Sequence, residues 1–374
     1  MMIFPTLHPG EGHIGGEHYL QSHPDDVLWG WLPNAQTTPA LSVASGETVT
    51  IDTVSHEGIL EDQGRDPVSY FAQFGIHNVL KDVVDIAASP LAHDDTCGPH
   101  IVTGPIRVAE AQPGDVLKVE ILDLAMRVPY GFISSRHGYG ALVGEFPEFP
   151  DSEPVRAVDQ IVSMGTISHF SWVENHHGKP YGMLSAGHGS GRTVRFPINP
   201  FLGIMGVARA TEEPVPSVPP GDHGGNIDIK HVVSGSTLYL PVQVDGAGFF
   251  AGDPHFAQGN GEVALTALEA PLRATVRLSV LKSDEARAAI GAIANPVVET
   301  ATHWIPTGMD ADLDEAMRIA VRNAVTFLNT RLDVPRDVAF AYLSAAGDFE
   351  VSQVVDAVKG VHCMIRKADW AAWA

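Results

Sequence analysis

Ile106-Arg107-Val108, then Gln112-Pro113-Gly114-Asp115, then Val116-Leu117-Lys118-Val119-Glu120-Ile121-Leu122 read as a hairpin-like pair of strands about a tight turn. The same signature recurs on both sides. Upstream, Leu41-Ser42-Val43-Ala44 runs into Gly46, and Thr48-Val49-Thr50-Ile51-Asp52-Thr53-Val54 alternates apolar with polar residues. Downstream come Ser236 to Val242 and Ala274 to Leu281. The 37 glycines and 27 prolines are spread along the chain, as expected for many turns between short strands. Irregularly spaced strands with almost no helix through residue 290 predict a mainly β fold, an antiparallel β-sandwich.

The last quarter changes period. From Asp312, apolar Leu313, Met317, Ala320, Val321, Ala324 and Leu328 follow the i, i+3/i+4 rule of an amphipathic helix. Asp312 and Glu315 offer a capping box, with Arg318 and Arg322 facing water. A second helix is expected after Pro335, carrying Val338 to Leu343, and strands over Glu350–Val355 and Val361–Ile365. The tail Trp370-Ala371-Ala372-Trp373-Ala374 offers tryptophans that could dock on a partner subunit. The expected division is a β-sandwich region over 1–290, in which 128–194 is a long loop insertion, and an α+β region over 291–374.

Charge narrows the function. With 23 basic and 45 acidic residues, a net −22, the surface repels nucleic acid and anionic membranes. An apolar fraction of 44% supports a real core. Cys97 and Cys363 cannot build a disulfide framework, which fits a reducing compartment. No apolar run reaches bilayer length and no leader pattern is visible at Met1–Thr6, so the expectation is a cytoplasmic protein. Gly187 to Arg192 is glycine-rich but lacks the strand and helix of a dinucleotide fingerprint. Neither a phosphate loop nor a Gly-x-Ser-x-Gly elbow occurs. Cys97 reads as a thiolate nucleophile or, more simply, as a free cysteine in a turn.

Two loops carry the chemistry. Gly252-Asp253-Pro254-His255-Phe256-Ala257-Gln258-Gly259-Asn260-Gly261-Glu262 sets an imidazole between carboxylates among glycines, the groups needed to hold a divalent ion and activate water. The other reading is a hydrogen-bonded loop. Pro219 to Asp228 displays His223, Asn226 and Asp228, or is a capped turn. His100 enters a strand at Gly98–Pro105, where a histidine is ordinarily a satisfied core group. Eighteen histidines warn against crediting each with a role, and His13, His18, His23, His176 and His177 receive none.

These loops resemble the acetamidase/formamidase family. The matching runs are Gly98–Pro105, Arg195–Ile198 leading into Pro200–Ala208, His223–Asp228, Gly235–Val242, Gly252–Val263, Thr302–Trp304, Asp310–Glu315 and Val355–Met364. The resemblance implies a jelly-roll-like sandwich with α+β additions, a homo-oligomer (dimer or larger), a divalent metal, and hydrolysis of short amides. It points to His223, Asn226, Asp228, Asp253, His255, Gln258 and Glu262. Two departures stand out: Asn260 replaces the family's usual Asp, and Pro254 its usual Gly. Regions 55–97 and 128–194 diverge and are expected to line the substrate entrance.

The resulting expectation is that His100, Asp228 and His255 bind one ion, zinc first and calcium second. Glu262, placed where the loop re-enters a strand Val263–Thr266, is the general base. Asn226 and Gln258 hold the amide, and His223 and Asp253 are further candidates. A metal-free version with Glu262 as base and backbone N–H groups as oxyanion hole, a larger or cyclic amide as substrate, or a non-catalytic binding protein on the same fold are the alternatives.

Overall fold

The computed structural model describes residues 5–93, 96–148, 155–157, 160–163, 165–187 and 191–373. Among them, two large and predominantly antiparallel sheets face each other. One has nine strands in the order His18–Leu20, Thr48–Asp52, Leu272–Leu281, Val116–Met126, Thr237–Pro241, Val297–Glu299, His303–Asp310, Lys359–Arg366 and Asp348–Gln353. The other has thirteen, with Phe249–Ala257 paired on either side to Phe201–Gly206 and Ile101–Val108. Val49, Ile51, Leu117, Val119, Leu238 and Val276 of the first sheet meet Ile106, Val108, Leu202, Met205, Phe249 and Phe256 of the second in one buried core. Burial of each such side chain is worth about 1.5–3 kcal/mol. The mainly β, sandwich-like architecture with helices late in the chain is therefore as the sequence predicts.

The opening stretch is not a hairpin. Its turn forms, with the Asp115 amide donating to Gln112 O at 3.0 Å. It carries the chain from Ile101–Val108 in one sheet to Val116–Met126 in the other. Val116–Met126 instead pairs along its length with Leu272–Leu281, and Ile101–Val108 is buried on nearly all sides between other strands. Longer partners for both segments outweigh the local pairing.

The long-loop reading of 128–194 is also corrected. Tyr130–Arg136, Thr166–His176 and Lys179–Ser185 form an antiparallel extension of the larger sheet. Their outer residues are half-buried on both faces, so no alternation marks them in sequence. Residues 188–190 of the glycine-rich run lie outside the described residues. Helices before residue 290 were likewise missed: Pro67–Ala72, Lys81–Ala88 and Ser283–Ile290 are too short for a clear period. The first two cover an aromatic cluster of Tyr70, Phe71 and Phe74 on Tyr130, Phe132 and Phe170.

The late helices form as expected, over Leu313–Leu332 and Arg336–Ala346. Asp312 Oδ1 accepts from the Glu315 amide at 3.0 Å, but the reciprocal half of the capping box is absent. Glu315 turns to Arg318 and Arg322, while the Asp312 amide donates to Asp310. Ala324, Phe327 and Leu328 build a second core against Tyr239, Cys363 and Ile365. Trp370 joins that core, its ring 4.6 Å from Tyr342, so it docks on its own chain rather than on a partner. The sheet of nine strands runs on past residue 290 without interruption. No helix of the described residues is long and apolar enough to cross a membrane.

Candidate active site

Phe249–Ala257 supplies the centre of the site because its alternation reverses midway. Phe249 and Ala251 point into the core between the sheets, and so does Phe256, of opposite parity. The reversal falls at Asp253, whose φ of 50° is left-handed. Asp253 is thereby released from the core side to a cavity of about 500 Å³, with His255 fully buried behind it. Asp228 (φ 47°) and Glu262 (φ 46°) reach the same place from equally unusual backbone. Left-handed non-glycine residues cost about 1–3 kcal/mol each and gather where surrounding structure imposes them.

Gly203, on the neighbouring strand Phe201–Gly206, makes the space. A methyl group there would strike Asp228 Oδ1, and would lie 2.6 Å from Asp253 Oδ2 and 2.7 Å from His255 Cε1. The Gly203 carbonyl accepts from the amides of Ile227 and Asp228 at 3.1 and 3.2 Å, which fixes the second loop. Gly203→Ala should therefore displace the carboxylates, weakening divalent-ion affinity at least tenfold and costing about 1–3 kcal/mol of stability by overpacking. Wild-type ion affinity in that variant, measured by calorimetry, would contradict this account of the floor.

Hydrogen bonds set the tautomer of His255. Gln258 Nε2 donates to the carbonyls of Asp228 (2.9 Å) and Ser352 (3.2 Å), so its Oε1 must be the atom 3.1 Å from His255 Nδ1. Oε1 only accepts, so Nδ1 carries a proton. Nε2 then faces Glu269 Oε1 at 3.0 Å, Asp253 Oδ2 at 3.1 Å and Glu262 Oε1 at 4.0 Å. A neutral imidazole would present a lone pair to these oxygens. Such an arrangement needs a second proton or a metal cation.

Charge balance says the same. Asp228, Asp253, Glu262, Glu269 and Asp356 are all buried around the floor. Burial, reinforced by the neighbouring acids, pushes Asp228, Glu262 and Asp356 well above the usual carboxylate range and Glu269 up to about 8. Burial also works against the Asp253 carboxylate, but His255 and His100 beside it hold it ionised to low pH. For His255 burial is outweighed by Glu269 and Asp253, which raise it, whereas burial drops His56 and His100 to about 4.

A pH dependence follows. Above pH 6.5, the ordinary histidine value, and up to about 8, His56 and His100 are neutral in the folded chain and mostly neutral in the unfolded one. The folded acids and His255 still hold protons that the unfolded chain has released, so raising pH across this window removes stability. Chelated protein should show a falling melting temperature from pH 6.5 to 8, and added zinc should abolish the fall. A flat or rising curve without metal would refute the charge assignment.

The model of the Acetamidase/Formamidase family matches residues 83–214 and 205–365, most of the chain. The chain belongs to the acetamidase/formamidase family. It is 29% identical over 218 residues to a formamidase of Methylophilus methylotrophus, covering 51% of this chain and 52% of that one. To an acetamidase of Mycolicibacterium smegmatis it is 26% identical over 228 residues, covering 51% and 53%. The chain thus spans about half the length of these relatives. A crystal structure of an acetamidase from Bacillus halodurans superposes with a TM-score of 0.69 at 26% identity, over 95% of this chain and 99% of that one.

In this family member the residues singled out from sequence do not all converge. Three ligand-capable groups share the floor: Asp228, His255 and Glu262; Asp253, His255 and Glu269; and His56, His100 and Asp253. His100 therefore sits with His56, and Asp253 stands between it and the Asp228–His255 pair. His100 Nδ1 is 2.9 Å from Ser217 Oγ, which itself donates to Cys97 O at 3.4 Å. Cys97 lines the cavity as a free, buried thiol. Asn226 donates to Val218 O at 3.1 Å and keeps a buried, unpartnered Oδ1 at the cavity wall. Gln258 orients His255 and lies outside the cavity lining, as does the buried His223. Val263–Thr266 is a turn, not a strand, and Glu262 is held instead through Gly261, whose amide donates to Ser352 O at 2.9 Å.

His56, Glu269, Asp356, Arg136 and Gly203 were missed. Arg136 closes one wall, its Nε 2.7 Å from Asp62. The divergent regions do border the cavity, through His56, Leu60, Asp62, Cys97, Arg136 and Tyr139. Asp356 lies inside a family-like run, the one signal that could have drawn attention to it.

Proposed function

We propose that this protein hydrolyses the carbon–nitrogen bond of a small amide: water adds to the carbonyl carbon and ammonia leaves. The observation that supports this most is the buried His255 Nε2 atom held among Asp253, Glu269 and Glu262, three acids that line one cavity. Imidazole and carboxylate donors suit zinc better than calcium, which favours oxygen alone. Asp253 and His255, with Asp228, Glu262, Glu269, His56 and His100 around them, are the residues that would hold it. A bound ion supplies an acidified water and a polarised carbonyl. Glu262 takes the proton from the attacking water and returns it to the departing nitrogen. Asn226 Oδ1, which lacks a partner, accepts from the substrate NH2 group.

The carbon portion meets Leu60, Pro99, Val218, Pro219, Leu265 and Val355. A cavity of about 500 Å³ exceeds what a one- or two-carbon amide fills, which favours as a second reading a longer or cyclic amide. The same proposal takes the protein to be a cytoplasmic homo-oligomer. Free Cys97 and Cys363 suit that compartment, and exposed Val338 and Phe340 suit self-association. Ammonia release should be measured on formamide, acetamide, longer and cyclic amides, before and after chelation. Release that disappears on chelation and returns with zinc supports the proposal. No release from any amide would leave a binding protein on the same scaffold.

A further inference from the structure

His231, Glu350 and His362 form a second group of ion-binding side chains, away from the cavity. Glu350 and His362 are cross-strand partners on Asp348–Gln353 and Lys359–Arg366, and His231 follows the Asp228 loop. Glu350 Oε2 lies 3.5 Å from His362 Nε2 and 3.7 Å from His231 Nε2. Neither Nε2 has a hydrogen-bond partner, although both are buried atoms and the His362 side chain is fully enclosed. The two rings meet edge-on at 5.4 Å, and one ligand atom from each of the three residues lies within 4.8 Å of the others.

A nitrogen and a carboxylate oxygen, each bound to zinc at about 2.0–2.1 Å in a tetrahedron, stand about 3.3 Å apart. The observed separations are a few tenths of an ångström longer, as expected of ligands before an ion draws them in. His362 Nδ1 is 2.8 Å from Ser352 Oγ, a partner able to take its proton and leave the Nε2 lone pair free. Asn260 Nδ2 donates to Glu350 Oε2. An Asp at 260 would place a second acid against Glu350, so the asparagine at this position holds the carboxylate without opposing it. His231 and Glu350 remain about one-quarter to one-third exposed, which leaves an open side for water and for ion entry.

We infer that His231, Glu350 and His362 form a binding site for a zinc-class divalent cation, separate from the cavity site. Its place gives it a task. Ser352, which supports His362, also accepts from Gln258 Nε2 and the Gly261 amide. An ion here ties the back of the Gln258–Glu262 loop to the sheet, making it a positioning element for Glu262.

Zinc titration of chelated full-length protein tests this. His231→Gln and Glu350→Gln should each bind one equivalent fewer than wild type, or bind the last one at least about a hundredfold more weakly, since even supporting residues cost 10- to 100-fold. Both changed residues are partly exposed and leave His362 in place, so the fold survives. In a His255→Ala background, which disables the cavity, zinc should still raise the melting temperature, and adding His231→Gln should remove that rise. Unchanged stoichiometry and affinity in both single variants would overturn the inference, as would a complete loss of zinc binding in folded His255→Ala. Neither outcome depends on which substrate the protein hydrolyses.

Discussion

Glu262→Gln is expected to lower kcat at least about a hundredfold, because glutamine keeps the shape of the side chain but cannot take a proton; general acid–base steps are worth on the order of 10²–10⁴. Its effect on stability should be opposite in sign to that of a structural loss. Glu262 is one of the five buried carboxylates around the floor, and burial already holds its pKa up. Glutamine removes the cost of keeping that proton in the folded chain, so the chelated variant should melt no lower than wild type. A lower melting temperature with activity per folded molecule preserved would make Glu262 a structural residue and end its assignment as base.

The second large effect belongs to His255. Purified protein is expected to carry close to stoichiometric metal at the cavity site, and His255→Ala to lose most of that equivalent, with binding there at least about a hundredfold weaker. Among the described residues, His255 is the one side chain shared by the Asp228–Glu262 and Asp253–Glu269 ligand groups. The fully enclosed ring also stacks edge-on against Phe201 at 5.0 Å, so the deletion leaves a void beside a buried aromatic. Metal content should therefore be read on the fraction that remains folded. Full occupancy in that fraction would remove His255 from the ligand set. Metal binding should weaken further below about pH 6, since a coordinating imidazole must be neutral.

The sheets were legible where buried apolar residues alternate with part-exposed polar ones, as at Lys118 and Glu120 in Val116–Met126, and the late helix where twenty residues repeat one period. They were illegible where strands are half-buried on both sides, as in Thr166–His176, or where a turn crosses between sheets. In the site, Asp253, His255 and Glu262 were visible because glycines and polar groups crowd one loop. His56, Glu269 and Asp356 were not, because each stands alone in sequence and only the fold brings them to Asp253 and His255. Gln258 was visible but misassigned. Its type suggested substrate contact, whereas its two carbonyl acceptors decide its orientation and its role.

The left-handed backbone at Asp228, Asp253 and Glu262 has an evolutionary consequence. Glycine at any of the three would relax the chain and also delete a buried acid, so under the proposed mechanism drift toward a more durable molecule runs directly toward an inactive one. A lineage freed from the need to turn over substrate should lose these acids first, while keeping the sandwich intact.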